Sequence, residues 1–396
     1  MLKKIICIFL ALISLTRFAV SAQPAETIIQ TSTGETVYTG LPTLDIKSKS
    51  YVLIDQISGK ILYENNKDER LPMASITKVM TLLLVMESLE NGILTLNQKV
   101  SCSSHASSMG GSQIWLEVGE EMTVHELLKA TVIKSANDAA VCLAEAIGGS
   151  EEGFVSLMNE KAKELGMENT NFINASGLDA ENHYSSAYDI AIMSRELLKH
   201  KLITSYTTIW MDSLRDGKTE LTNTNNLIRF YKGATGLKTG YTSKSGYCLS
   251  ASATRDNMSL IGVVMGCESI DERFKAATSL LNYGFANFCV YTPQVSHDQL
   301  HPVRVIRGIK EYANIETPSL NGIVVPKSAA QRVETHVNII ENVSAPVEKG
   351  QTLGEIAVTL DGINLLSVPL VSAQHIEKLT VSKAFIALLL QLIFVK

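Results

Sequence analysis

Residues that could carry out nucleophilic catalysis begin with a serine and a lysine in the segment RLPMASITKVM. Ser75 and Lys78 lie three positions apart among apolar neighbours. A serine hydroxyl is a weak nucleophile unless a base takes its proton, and a lysine amine becomes such a base when burial or nearby positive charge lowers its pKa. If Ser75 opens a helix, Lys78 lies one turn further along the same face. The spacing therefore predicts an amine beside a hydroxyl.

Two downstream motifs decide how this pair is interpreted. Alone, most S-x-x-K pairs are a helix N-cap and a solvated lysine. Further along, KSANDAA contains Ser135 and Asn137, and GLKTGYT contains Lys238, Thr239 and Gly240 on a predicted strand. In this order, S-x-x-K, S-x-N and K-T-G form the three-part signature of serine enzymes that react with penicillin.

Longer stretches around the motifs resemble the catalytic domain of D-alanyl-D-alanine carboxypeptidases, the low-molecular-mass penicillin-binding proteins of bacterial cell-wall maturation. The stretches are RLPMASITKVM, SANDAA, FINASGLDAENHYSSAYDIA and TGLKTGYTSKSGYCLSASA. The resemblance covers nearly all of Lys47–Asn287. It implies an α/β (α+β) fold of the β-lactamase/transpeptidase type that uses no cofactor. It also implies peptidoglycan stem peptides as substrate and β-lactam antibiotics as covalent inhibitors.

The resemblance assigns a catalytic role to each residue of the first two motifs. Ser75 would attack the carbonyl between the two terminal D-alanines and form an acyl-enzyme, and Lys78 would accept its proton. Ser135 would relay a proton to the leaving amine. Asn137 would hydrogen-bond the substrate amide and steady Lys78.

The third motif would bind the substrate. Lys238 and Thr239 would hold the terminal carboxylate, which needs a positive charge and a hydroxyl donor. Gly240 would let the substrate backbone lie against the strand. The backbone N–H groups of Ser75 and Tyr241 would form the oxyanion hole, and only the resemblance selects Tyr241.

One further arginine matches the family and one expected arginine is missing. Arg273 matches a position that supports the carboxylate, although an arginine beside Asp271 and Glu272 also fits the exposed surface of a helix. The family often has an arginine in the segment around residues 223–225, and here the middle residue is Thr224. Either Arg273 compensates for this difference or substrate affinity is lower.

The elements that must position these residues can be read from periodicity. Apolar residues recurring at three and four predict helices over 76–90, 124–132, 138–147, 151–165 and 271–285. Hairpins are predicted at 51–55 with 61–64, and at 247–254 with 258–265. These elements predict a mixed α/β catalytic domain over residues 47–289. After residue 290, short Val/Ile-rich runs separated by Gly, Pro, Asn and Asp predict a small all-β domain over 290–378.

Both chain ends carry apolar segments. Lys3 and Lys4 precede an apolar run that ends near the small residues Val20–Ala22, which predicts a signal peptide over 1–22 and a leader over 23–46. The segment 379–396 is predicted to be a C-terminal anchor helix, too short to span a bilayer but sufficient to enter one leaflet. Packing of this helix on the protein core is the alternative. The expected location is the outer face of the cytoplasmic membrane.

Composition excludes several other classes. A net charge of −5 and a pI near 6.0 give no general attraction to nucleic acid. Five cysteines remain after the predicted signal peptide, without a metal-type spacing, so buried unpaired thiols are expected and a disulfide framework is not. His297 and His301 lie four apart, but Asp298 stands where a metalloprotease needs glutamate, so no metal site is predicted.

Three rival functions share these residues. A class A β-lactamase would need an additional deacylating glutamate that is not identifiable here in its usual context, and it would lack the β domain. A D,D-endopeptidase would cut cross-links with the same residues, and the β domain and anchor favour the carboxypeptidase. A non-catalytic penicillin receptor or wall scaffold would not require Ser75, Lys78, Ser135 and Lys238 together.

Overall fold

The chain forms two compact units, each with its own hydrophobic core. The computed structural model describes residues 27–30, 36–39, 41–316, 319–320, 322–383 and 385. The larger unit comprises Leu44–Thr292 and Asn321–Ala330, and the smaller unit includes Pro293–Leu320 and the residues from Gln331 onward. The sequence grouped 321–330 with the β-rich region, but the strand Ile323–Pro326 pairs with Phe288–Tyr291 and so lies in the larger unit.

The larger unit is built on a five-stranded antiparallel sheet. Its strands lie in the spatial order Ile61–Asn65, Ser50–Asp55, Met258–Cys267, Gly246–Arg255 and Ala234–Thr242. Both hairpins predicted from the sequence are confirmed. The edge strand Ala234–Thr242 carries Lys238, Thr239 and Gly240, and we call it the K-T-G strand.

Helices cover both faces of this sheet. Side chains alternate along a strand, so paired residues on neighbouring strands share a face. Lys238 and Ser250 share the face that packs on the helix Ala187–Leu197. Gly262 lies on the opposite face, against the helix Ile270–Asn287. The third motif therefore spans both faces, with Lys238 and Gly240 on one and Thr239 on the other.

The other helices of the larger unit lie in the long segment between the strand Ile61–Asn65 and the K-T-G strand. Apart from the two helices above, the described helices are Lys78–Glu90, Ser104–Ser107, Val124–Lys129, Asn137–Gly148, Glu151–Glu164, Lys201–Thr207 and Leu227–Phe230. Short hairpins pair Lys99–Ser101 with Glu121–Thr123, and Met211–Leu214 with Thr219–Thr222. The predicted helix over 124–132 is a capped α-helix that becomes a π-turn at Ala130–Lys134.

The smaller unit is all-β in its described core. One sheet has the strand order Ile315–Glu316, Ile363–Ser372, Thr352–Leu360 and Val333–Ile339, and another has Tyr312–Ala313, Val303–Ile306 and Asn342–Ser344. Thr27–Gln30 pairs with Thr36–Thr39. The predicted signal peptide and most of the predicted anchor lie outside the described residues. Within the described part of the chain, no helix is both long enough and apolar enough to cross a bilayer.

Candidate active site

The first motif forms a sharp turn at the start of a buried helix. Ser75 lies in the 3-10 turn Ala74–Thr77, and Lys78 is the first residue of the α-helix that follows. The sequence predicted a helix from Ile76, and the tighter turn before it still places the serine and lysine on one face. Ala74 has φ 48°, in the left-handed region that alanine rarely adopts. The half-buried Ser75 is thus presented on a strained turn, Ala74–Thr77, which we call the nucleophile turn.

The amine of Lys78 is completely buried and has three hydrogen-bond partners. It lies 3.0 Å from Ser75 Oγ, 2.5 Å from Asn137 Oδ1 and 2.6 Å from the carbonyl oxygen of Ser176. A neutral amine has two N–H donors and one lone pair. The two carbonyl oxygens can take both donors, which leaves the lone pair directed at the Ser75 hydroxyl.

Burial and neighbouring charge favour this neutral amine. Removal from water lowers the pKa of Lys78 well below its ordinary value, and the positive charge of Lys238 lowers the pKa further. The carboxylate of Asp138 opposes these two effects. The arrangement can therefore act as a base toward Ser75.

The second motif lies where the π-turn Ala130–Lys134 meets the helix that begins at Asn137. Ser135 has φ 64°, which ends the turn and redirects the chain. Ser135 is buried, and its Oγ has no hydrogen-bond partner among the described residues. Asn137 donates from Nδ2 to Gly110 O at 2.6 Å, which orients its Oδ1 toward Lys78. Ser135 thus holds an unused hydroxyl available for a ligand.

Lys238 of the K-T-G strand is a second buried amine. In the described part of the chain it donates one hydrogen bond, to Thr239 O at 3.1 Å, and its side chain is 1% exposed. Burial, and then the positive charge of Arg273, lower its pKa to about 7. A buried amine with one acceptor would be stabilised by an anionic ligand.

Thr239 and Tyr241 lie on the opposite side of the same strand. The hydroxyl of Thr239 donates to Thr224 Oγ1 at 2.7 Å, so the residue that stands in place of the expected arginine contacts the motif directly. The Tyr241 ring is 54% exposed and stacks on Tyr247, with ring centroids 4.3 Å apart. To bind a carboxylate, Thr239 must turn its O–H away from Thr224.

Gly240 and Arg273 link the strand to its surroundings. A Cβ on Gly240 would lie 2.8 Å from Met73 O and 3.2 Å from Ala74 Cβ. Because Gly240 has no side chain, the nucleophile turn can approach the strand closely. This role is separate from the predicted contact of Gly240 with the substrate backbone. Arg273 is buried rather than exposed on its helix, and its Nη1 donates to Gly240 O at 3.4 Å. The predicted site residues therefore converge on one region of the larger unit.

Three contributors to the site were not predicted. Ser176 supplies its carbonyl to Lys78. Gly177 packs so closely on Ala74 that a Cβ added to Gly177 would lie 2.0 Å from Ala74 O. The buried carboxylate of Asp138 accepts hydrogen bonds from the N–H groups of Ile114 and Leu116. Ser176 and Gly177 lie in the stretch FINASGLDA, which carries part of the family resemblance. The resemblance assigned no contact to either residue. The described residues contain no group of three or more His, Cys, Asp or Glu placed to hold a metal ion.

Comparison of the sequence with known proteins identifies relatives of this chain. A family model for D-alanyl-D-alanine carboxypeptidase matches residues 35–269, and one for the C-terminal domain of penicillin-binding protein 5 matches residues 291–378. D-alanyl-D-alanine carboxypeptidase DacF of Bacillus subtilis is 46% identical over 336 residues, which are 84% of this chain and 86% of that protein. The chain belongs to the D-alanyl-D-alanine carboxypeptidase family. It is a serine peptidase of peptidoglycan metabolism.

Two solved structures of similar proteins cover different shares of this carboxypeptidase. Penicillin binding protein 5 from Haemophilus influenzae has a TM-score of 0.77 and 32% identity, and the match covers 85% of this chain and 100% of that chain. Penicillin-binding protein D2 of Listeria monocytogenes, in an ampicillin-bound form, has a TM-score of 0.57 and 31% identity. That match covers 62% of this chain and 99% of that chain. The catalytic fold and the all-β domain are therefore those of this family.

Proposed function

We propose that the protein removes the terminal D-alanine from peptidoglycan pentapeptide stems, through an acyl-enzyme on Ser75. The observation that carries the proposal is the fully buried Lys78 amine, 3.0 Å from Ser75 Oγ and with its other two partners both carbonyl oxygens. Such an amine can be neutral and accept a proton. Membership of the family supplies the substrate class.

Acylation uses the first two motifs. Ser75 Oγ attacks the carbonyl carbon between the two terminal D-alanines while its proton passes to Lys78 Nζ. The N–H groups of Ser75 and Tyr241 stabilise the negative oxygen of the tetrahedral intermediate. The C–N bond then breaks, and the unpartnered hydroxyl of Ser135 gives its proton to the leaving amine of D-alanine. Ser135 takes back the proton held by Lys78, which returns the Lys78 amine to its neutral form. Asn137 fixes Lys78 and binds the substrate amide.

The K-T-G strand binds the terminal carboxylate. Lys238 supplies the buried positive charge, and Thr239 supplies a hydroxyl donor once that hydroxyl turns from Thr224. Arg273 adds a second buried cation beside Gly240. A free carboxylate beside the scissile bond thus fits the end of a stem peptide, and the β domain and proposed anchor favour carboxypeptidase over endopeptidase activity.

The acyl-enzyme is resolved by water. Water attacks the ester carbonyl while neutral Lys78 accepts a proton from the water. The bond between the acyl carbon and Ser75 Oγ then breaks, and Lys78 returns the proton to Ser75 Oγ as the tetrapeptide leaves. Penicillin would acylate Ser75 by the same attack on its β-lactam carbonyl. The ampicillin-bound form of the Listeria relative supports this inhibition.

Two substrates test the assignment. We expect purified protein to release D-alanine from a pentapeptide ending in D-Ala-D-Ala and to leave cross-linked peptide dimers intact. Cleavage of the dimers with no release of D-alanine would move the assignment to endopeptidase. Ser75→Ala should abolish penicillin labelling, whereas Ser88→Ala, a buried serine on the following helix, should retain it. Labelling of Ser75→Ala would remove Ser75 as nucleophile.

The terminal segments complete the proposal. Residues 1–22 would direct export and be removed, residues 23–46 would form a leader, and residues 379–396 would anchor the protein at the outer face of the cytoplasmic membrane. The charge-free apolar run from residue 384 to 395 supports the anchor. Deleting 384–396 should move the protein from the membrane to the soluble fraction while activity on a soluble pentapeptide is unchanged. Retention of the shortened protein on membranes would contradict the anchor.

A further inference from the structure

Thr77, one of the two residues between the nucleophile and its base, makes two side-chain hydrogen bonds. Its hydroxyl donates to Ala74 O at 2.8 Å and lies 2.7 Å from His183 Nε2. Thr77 is fully buried and His183 is 6% exposed. Neither side chain has been given a task in the mechanism above, so their contact calls for an explanation.

The direction of these hydrogen bonds follows from a third contact. The N–H of Ile173 donates to His183 Nδ1 at 2.9 Å, so Nδ1 carries no proton. In a neutral imidazole the proton is then on Nε2, which donates to Thr77 Oγ1. Burial lowers the pKa of His183 to about 4, which keeps the ring neutral above that pH. A directed chain therefore runs from Ile173 N–H through His183 and Thr77 to the carbonyl of Ala74.

The end of this chain is the peptide group that carries the Ser75 N–H. A peptide group is planar, so fixing the carbonyl oxygen of Ala74 also fixes the direction of the Ser75 N–H. Gly177 approaches the same group, because a Cβ there would lie 2.0 Å from Ala74 O and 2.9 Å from Ser75 N. The positive φ of Ala74 means that this peptide orientation needs support from its surroundings.

We propose that Thr77 and His183 are positioning residues that hold the Ser75 N–H in the direction required to bind the oxyanion. The inference rests on the proposed function, in which Ser75 is the nucleophile. Donation from Thr77 also polarises the Ala74–Ser75 amide and strengthens its N–H as a donor. The two side chains thus serve transition-state stabilisation, whereas Lys78, the next residue, serves proton transfer.

The helix that follows Thr77 contains a matched control. Thr81 is also fully buried, one turn beyond Thr77, and its hydroxyl donates to Ala175 O at 2.7 Å. Removing that hydroxyl also loses a buried side-chain hydrogen bond, in this case to the segment that contains Ala175, without touching the Ala74–Ser75 peptide. A structural effect should therefore appear in both variants, and an effect on the oxyanion hole only in Thr77→Val.

The experiment compares Thr77→Val, Thr77→Ser, His183→Gln and Thr81→Val with the native protein. The measurements are the acylation rate constant with benzylpenicillin, the KM and kcat for a D-Ala-D-Ala pentapeptide, and the melting temperature. We expect Thr77→Val to acylate about ten- to a hundredfold more slowly with KM little changed, less than the loss from deleting an oxyanion donor outright. Thr77→Ser should recover the rate, and Thr81→Val should acylate at the native rate. His183→Gln should slow acylation but add no further loss in the Thr77→Val background.

Two results would overturn the inference. One is acylation of Thr77→Val at the native rate, and the other is an equal loss in Thr77→Val and Thr81→Val. Failure of the native protein to be acylated or to release D-alanine would instead overturn the proposed function on which the inference rests. The native measurement therefore separates the two failures.

Discussion

Replacing Gly240 with alanine tests how closely the K-T-G strand must approach the nucleophile turn. A Cβ at this position would lie 2.8 Å from the backbone oxygen of Met73, and ordinary contacts begin near 3.4 Å. This neighbour is backbone rather than a flexible side chain, so the strand or the turn must move by roughly half an ångström. That movement would separate Lys238 and Thr239 from Ser75.

The expected size of the effect follows from this displacement. A misplacement of about 1 Å can cost about a hundredfold in rate, so we expect Gly240→Ala to reduce penicillin acylation and kcat/KM by about tenfold or more. Overpacking should also lower the free energy of unfolding by about 1–3 kcal/mol. Stopped-flow acylation, D-alanine release and urea unfolding measure these quantities.

Gly262 provides the matched control in the same sheet. A Cβ at Gly262 would have its nearest neighbour, Leu280 Cβ, at 3.6 Å, so alanine fits without movement. Gly262→Ala should therefore keep native acylation and stability. Equal acylation rates in Gly240→Ala and Gly262→Ala would refute the reasoning, because the predicted separation of strand and turn would then have no consequence.

Three further predictions concern charge. Asp138→Asn should lower the free energy of unfolding by about 2 kcal/mol in urea, because the carboxylate accepts hydrogen bonds from the backbone N–H groups of Ile114, Leu116 and Ala139; an unchanged midpoint would contradict this. The folded pKa of His183, about 4, lies below its ordinary 6.5, so the unfolded state takes up the proton first as pH falls. Between pH 7.5 and 5 the native protein should lose about 2 kcal/mol more stability than His183→Gln, and parallel pH dependences would contradict the assignment. Only charged Lys238 binds the carboxylate and its pKa is about 7, so kcat/KM should decline as pH rises above about 7, and Lys238→Arg should lack this decline.

The sequence predicted the parts of the site that depend on local spacing. The side chains of Ser75 and Lys78 lie side by side because three residues make about one helical turn. The K-T-G motif was predicted on a strand, and that strand pairs with Gly246–Arg255. The contacts between distant segments were not predictable in the same way. Ser176 reaches Lys78 across 98 residues of sequence, and its contribution is a backbone carbonyl, which no side-chain pattern reveals.

Local strain was also invisible in the sequence. The left-handed conformations of Ala74 and Ser135 are imposed by tertiary packing, since neither residue type favours positive φ. The π-turn before Ser135 likewise replaced the last turn of a predicted α-helix. These departures cluster at the first two motifs, where the chain places the nucleophile and the unpartnered hydroxyl.

The central claim is that Ser75 forms an ester with the substrate during D-alanine release. The most direct measurement is acid quenching of the protein during turnover of a pentapeptide, followed by mass spectrometry of its proteolytic fragments. The account predicts a mass increase equal to the tetrapeptide acyl group on the fragment that contains Ser75, with at least one D-alanine released for each acylated fragment. Release of D-alanine with that acyl group on a different residue would contradict the account.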